Sequence, residues 1–240
     1  MPKTWLTVLV LAALASAAGA QREEIYRFDT ASRDGIGKFY FDREISHVMG
    51  HLGAGWLERP ARERQERTDL LIDRLPLQPD DHVADIGAGT GYFTLPVAAR
   101  VPQGRVYAVD IQPEMLAIID QRIDDGGINN VETVRGTSAS PELPANTLDL
   151  AFIVDAYHEF SHPREMGESL FAALRPGGRL VLVEYRAEDP SVPIKRLHKM
   201  SEAQARRELE SIGFTWVSTE DYLPQQHVIT FQRPESPTKQ

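Results

Sequence analysis

The stretch His82-Val-Ala-Asp-Ile-Gly-Ala-Gly-Thr-Gly-Tyr-Phe-Thr94 decides the fold. A short apolar run ends in an acid, Asp85, and glycines follow at Gly87, Gly89 and Gly91 before a helix-compatible segment begins. This is the layout of a strand feeding a tight loop and a helix N-terminus, where backbone can lie close against a nucleoside ligand. The next candidate strand, Arg105-Val-Tyr-Ala-Val-Asp110, ends in a second acid able to hold ribose hydroxyls.

The glycine spacing separates two ligand classes. A dinucleotide fingerprint requires Gly-x-Gly-x-x-Gly, with the helix N-terminus facing a pyrophosphate. Here the spacing is Gly-x-Gly-x-Gly, and Tyr92 occupies the place of the fingerprint's last glycine. A carboxylate two residues before the first glycine is awkward beside a pyrophosphate and well suited to an ammonium group. S-adenosylmethionine carries an ammonium and a sulfonium, and no phosphate.

Outward from the loop, strand and helix signals alternate, which predicts a mostly parallel sheet with helices on both faces. Strands are expected at Val83–Gly87, Val106–Asp110, Val131–Arg135, Leu148–Val154 and Arg179–Tyr185, with helices near Tyr92–Arg100, Pro113–Asp125 and Pro163–Leu174. Pro113 suits a first helical turn, and Gly177-Gly178 is expected to end the last of these helices. Ser201-Glu-Ala-Gln204 reads as a capping box opening a helix that stops at Gly213. Phe214–Leu223 and His227–Arg233 read as an antiparallel hairpin closing the sheet edge. Before the core, Glu58–Leu75 reads as one helix, with the charges of Arg59 to Arg67 forming a solvated, ion-paired face. Residues 21–56 show no clear period and are expected to wrap the core as a cap.

Four segments, in this order, resemble the class I S-adenosylmethionine-dependent methyltransferases, in the small-molecule branch with a Methyltransf-11/25-like core. They are Asp85-Ile-Gly-Ala-Gly-Thr-Gly91, Val109-Asp-Ile-Gln-Pro-Glu-Met115, Leu148-Asp-Leu-Ala-Phe-Ile-Val-Asp155 and Leu174-Arg-Pro-Gly-Gly-Arg-Leu-Val-Leu-Val-Glu184. The resemblance covers roughly residues 68–233. It implies a Rossmann-like, doubly wound, seven-stranded sheet, mostly parallel, and methyl transfer from S-adenosylmethionine to a small molecule. It further implies that Asp85 lies near the methionine part of the cofactor, directly or through water. Gly87, Ala88, Gly89 and Gly91 would allow close backbone approach, and Thr90 would donate its hydroxyl. Asp110 would accept from both ribose hydroxyls, Ile111 would pack on the adenine, and Asp155 would complete the cofactor site. Many relatives carry an acid after the third strand to bind the adenine amino group; here Arg135-Gly-Thr-Ser138 stands there, leaving Gly136 and Thr137 for that contact.

Asp155-Ala-Tyr-His158-Glu159-Phe-Ser-His162-Pro163 follows the fourth strand and resembles the family's Leu-His-His-Phe-type segment, with Glu159 at the second histidine. In an open α/β sheet the ligand lies outside the carboxyl ends of the strands, so this loop should face the transferring methyl. His158 and Glu159 are the candidate catalytic bases, with local helix capping as their other reading. Histidines also stand at i, i+4 in His47/His51 and His158/His162, a spacing that can bind metal on a helix. Gly50, Gly53 and Pro163 interrupt both helices and no His-Glu-x-x-His occurs, so no metal is expected. Ile45–His51 is expected to act as a lid bringing His47 or His51 to the acceptor. Tyr185-Arg186 and His198-Lys199 are expected on the same edge.

At 240 residues and 42% apolar content, the chain can bury one core, so one domain plus extensions is expected. The net charge of −9 argues against a general nucleic-acid binder. So does the absence of an Asn-Pro-Pro-Tyr-like segment after the fourth strand. Lys3, the apolar run Leu6–Ala15 and Ala18-Gly-Ala20 form a secretory signal pattern too short to span a bilayer comfortably. The expected organisation is a signal peptide at 1–20, a cap at 21–67, the methyltransferase domain at 68–233 and a disordered tail at 234–240. Export, to a periplasm, is expected, with the cytoplasm as the alternative if the segment does not act as a signal. The competing functions are a noncatalytic binder of S-adenosylmethionine or its demethylated product, and a nicotinamide-dependent oxidoreductase, which Tyr92 and Asp85 disfavour.

Overall fold

The computed structural model describes residues 25–235. The expected signal peptide and the last five residues lie outside them. Two sheets organise the described chain: a three-stranded antiparallel sheet in the N-terminal cap and a seven-stranded sheet in the domain.

The cap begins with β1 (Tyr26–Phe28), β2 (Gly35–Tyr40) and β3 (Arg43–Ser46). The strands β2 and β3 form a hairpin in which Tyr40 pairs with Arg43 across a two-residue loop. Both loop residues, Phe41 and Asp42, have positive φ (46° and 66°), as a hairpin turn of this length favours. The usual Asn-Gly or Asp-Gly signal is absent, which is why the sequence of this segment shows no pattern.

After a short helix α1 (Ala54–Leu57), the predicted single helix over Glu58–Leu75 is instead two, α2 (Arg62–Glu66) and α3 (Thr68–Arg74). Arg67 breaks them apart with a left-handed φ of 54°. The break turns part of the charged cluster inward, against the expectation of a solvated face. Arg62 and Glu66 are both buried and paired at 3.0 Å, and Glu66 also accepts from the Tyr185 hydroxyl at 2.8 Å.

The domain then alternates as predicted: β4 (His82–Ile86), α4 (Thr94–Arg100), β5 (Arg105–Asp110), α5 (Pro113–Gly126), β6 (Val131–Arg135), β7 (Leu148–Val154), α6 (Pro163–Ala173), β8 (Leu174–Tyr185), α7 (Glu202–Glu210), β9 (Thr215–Glu220) and β10 (Gln226–Gln232). The spatial order is β6-β5-β4-β7-β8-β10-β9. Pairings from β6 to β8 are parallel, and β10 is antiparallel to both its neighbours. Gly177-Gly178 does not end the helix: α6 stops at Ala173 and the glycines lie inside a β8 that starts earlier than predicted, beside a register shift against β7. Ser201 caps α7 by accepting from the Gln204 amide at 3.1 Å. The reciprocal half of the box is not made, because the Gln204 side chain donates to Phe41 and Glu208 instead.

Central strands are apolar on both faces, as burial under two helical layers requires. Leu180, Leu182 and Ile153 join one core with Leu170 of α6 and Leu209 of α7. Val181, Val183 and Phe152 join the other with Leu71 of α3 and Val97 of α4. The chain reverses its direction of growth between β4 and β7. That switch point brings together the carboxyl ends of β4, β5 and β7, where an open sheet of this kind holds its ligand.

Candidate active site

A cavity of about 280 Å³ opens at this switch point, lined from the sheet by Gly87, Gly89, Asp110, Asp155 and Glu159 and from the cap by Ser46, His47, Met49 and Leu57. The glycine loop is held by its own backbone: the amides of Gly87 and Ala88 donate to the Val109 carbonyl at 2.8 and 3.0 Å. Gly91 has φ 79°, and a Cβ there would lie 3.1 Å from Ile119, so the loop needs glycine on two counts.

Asp110 sits at the end of β5 with one carboxylate oxygen accepting from the Gly89 amide and the other from the Gln112 amide, both at 2.9 Å. Burial raises its pKa. Asp110 lines the cavity, and a carboxylate oxygen with one amide donor retains capacity for a second. Ile111 lines the cavity while 45% exposed, offering an apolar face without a protein partner. Gly136 and Thr137 also line the wall, and the Thr137 amide is engaged by the Ser140 carbonyl.

Four of the predicted cofactor residues, Asp85, Ala88, Thr90 and Gly91, are absent from the lining. Asp85 is buried beneath the loop, accepting from the Thr94 hydroxyl at 2.6 Å, and burial pushes its pKa up to about 7. The Thr90 hydroxyl, expected to face the ligand, donates instead to Glu58 of the cap. Ala88 packs against α5 in a small apolar cluster with Leu116 and Ile119. With Gly91, these residues shape the loop and are absent from the cavity wall.

Asp155 has a left-handed φ of 50° at the end of β7. Its Oδ2 accepts from Gln226 at 3.1 Å, while Oδ1 is buried without a hydrogen-bond partner. Burial, reinforced by Glu66 and Glu184, raises its pKa strongly. Asp155 itself lines the cavity, while this Oδ1 is closed to solvent.

At the far end, His158 and Glu159 form a single turn of 3-10 helix with Tyr157. His158 is buried, and its Nδ1 lies 2.6 Å from the Glu184 carboxylate of β8, which also accepts the His158 amide at 3.2 Å. Burial works against protonation, but Glu184 outweighs it and raises the His158 pKa. Glu159 lines the cavity; burial raises its pKa, and one of its oxygens accepts from the Met49 amide of the cap at 3.1 Å. His198 arrives from the loop after β8, placing Nδ1 3.2 Å from His158 Nε2. Burial and the neighbouring His158 lower its pKa to about 4.

The histidine pairs read from spacing do not form. His47 lines the cavity, whereas His51 faces Glu114 at 3.8 Å; His162 precedes α6 without a side-chain capping bond and its ring bonds Ser161. Gln112, which carried no signal of its own, fastens the Ile45–His51 segment: it accepts from the His51 amide at 2.6 Å and donates to the Met49 carbonyl at 3.0 Å. Glu184 was also missed as a site residue, since within its apolar strand it carries no separate signal.

A glycine loop, an acid ending the neighbouring strand and a cavity meet at the switch point, where open α/β sheets hold their ligands. Residues 83–178 match the family Methyltransf_25, described as a methyltransferase domain. The chain is 34% identical over 136 residues to a demethylmenaquinone methyltransferase of Symbiobacterium thermophilum, covering 55% of this chain and 51% of that protein. It is 32% identical over 118 residues to the ubiquinone/menaquinone biosynthesis C-methyltransferase UbiE of Ectopseudomonas mendocina, covering 48% and 46%. The chain thus spans about half the length of these curated relatives. In fold it is similar to a SAM-dependent methyltransferase from Aquifex aeolicus, with TM-score 0.72 and 22% identity over 77% of this chain and 99% of that one. Residues 83–178 thus resemble a methyltransferase domain, and the fold is the one that the solved methyltransferase shares.

Proposed function

We propose that the protein binds S-adenosylmethionine at the switch-point cavity and methylates a small apolar molecule entering from the cap side. One observation carries this reading. A single cavity joins the glycine loop and Asp110, suited to the nucleoside, to Glu159, suited to a reacting acceptor.

When bound, S-adenosylmethionine supplies an activated methyl group on a sulfonium. The chain's own residues supply placement. Asp110 would receive the ribose hydroxyls, Ile111 the adenine face, and Asp155 the ammonium end, all three lining the cavity. Asp85 would act from behind, holding the loop through Thr94. Glu159, kept in the cavity by the Met49 amide, would take the acceptor's proton as its nucleophilic atom attacks. His158, backed by Glu184, would hold the turn that presents Glu159.

The acceptor side is largely apolar, with Ile36, Val48, Phe160 and Met166 on its walls. Together with the quinone-directed names of the relatives, this favours a phenolic or quinol-type acceptor. The test is transfer of a radiolabelled methyl group to a panel of phenols, quinols, amines and small acids. Turnover is expected on the phenolic or quinol members, with Glu159→Gln lowering kcat about 100-fold. Cofactor binding with no transfer to any member would leave a binding protein and sink the enzymatic reading.

A further inference from the structure

We infer that His158, Glu159 and His198 form a divalent cation site of the zinc class at the acceptor end of the cavity. Their facing atoms, His158 Nε2, His198 Nδ1 and Glu159 Oε1, are separated by 3.2, 3.8 and 3.9 Å. A point equidistant from all three lies about 2.1 Å from each, which is the length of a zinc–nitrogen or zinc–carboxylate bond.

A hydrogen bond between the two imidazoles accounts for the 3.2 Å contact but leaves Glu159 unexplained. Its Oε1 stands too far from either ring to accept a hydrogen bond and at the right distance to share a centre with both. The other oxygen, Oε2, is occupied by the Met49 amide, so the carboxylate is oriented from the cap with Oε1 turned to the gap.

The surroundings also match a metal centre. Glu184, fully buried, takes His158 Nδ1 at 2.6 Å and so leaves Nε2 with its lone pair toward the gap. Such carboxylate–histidine pairs orient ligating imidazoles. The His158 carbonyl is tied to Arg43 at 3.2 Å and to Ser46 at 3.4 Å, which holds the ligand turn from the cap side. Two carboxylates, Glu159 and Glu184, balance the charge of a dication. Three protein ligands leave a coordination position free, and of the three Glu159 is the one that lines the cavity. An oxygen of the acceptor would fill it, with Glu159 then serving as a ligand in place of the base role proposed above; that role of the cation rests on the methyl-transfer reading, and the site itself does not. Two imidazoles and one carboxylate favour zinc and its neighbours over magnesium.

The test uses the full, untagged chain freed of metal by a chelator and titrated, without S-adenosylmethionine, with Zn2+ by calorimetry and with Co2+ by visible absorption. We expect one equivalent per chain and cobalt d–d bands. His198→Ala and Glu159→Gln should each weaken Zn2+ binding about 100-fold, and Glu184→Gln about 10–100-fold. His162→Ala should leave it unchanged. His198 is partly exposed, so its variant is expected to fold, as circular dichroism would verify. Equal affinity in wild type and His198→Ala, absent cobalt bands, or a preference for Mg2+ would each overturn the site. A protein that binds S-adenosylmethionine but not Zn2+ would refute the cation site alone, and the converse would refute the cofactor reading alone.

Discussion

Asp85 shows how a residue singled out by its place in a motif can act through a contact that the motif does not reveal. The strand-end acid was legible in the sequence; its turn away from the cavity toward Thr94 was not, because that depends on where α4 packs. Its buried carboxyl titrates at about 7, above an unfolded value of 3.8. A raised carboxyl contributes stability that is complete below the unfolded pKa and is lost as pH rises through the folded one. The window is therefore about pH 4 to 7, and Asp85→Asn should remove this slope. Thermal melts of both proteins at pH 5 and pH 8 check it: the variant should gain on the wild type as pH rises. A constant difference would show that Asp85 is ionised throughout.

Among the elements, the contacts between the cap and the domain carry the least sequence signal and decide the most. Arg43 of the cap hairpin grips Glu208 of α7 through two bonds, at 2.7 and 2.9 Å, with both side chains largely buried. Removing one partner strands a buried charge, so Glu208→Ala should cost about 3–5 kcal/mol. Denaturant unfolding followed by circular dichroism measures this, and a loss under about 1 kcal/mol would mean that the pair is solvated. The hairpin itself was unreadable because its turn is Phe41-Asp42, residues with no preference for positive φ strong enough to betray it. The strand–helix alternation after His82 was readable, since apolar runs and glycine or proline punctuation are local properties. Boundaries slipped where tertiary pairing extended an element, as at the start of β8.

For the whole molecule, ligand binding should be visible as stability, because the cavity is walled by both cap and domain. S-adenosylmethionine at 100 times its Kd should stabilise the fold by about 2.7 kcal/mol. For a chain of this size that is a rise in Tm of about 5–10 °C, measurable by scanning fluorimetry. Asp110→Ala, which removes the acceptor of two ribose bonds, should abolish most of the rise. An unchanged shift in that variant would place the cofactor elsewhere.

The amino-acid sequence by itself determined the glycine loop, the acids ending two strands and the alternation that builds a doubly wound sheet. Each of these is written in neighbouring residues, as hydrophobic period and backbone permission are. Only the tertiary structure decided that Asp85, Ala88 and Thr90 lie behind the cavity wall, and that Arg62 and Glu66 are buried. It alone brought His198, 40 residues along the chain, to His158 and Glu159. Such meetings depend on how loops return to the same end of the sheet, and no local pattern encodes that distance.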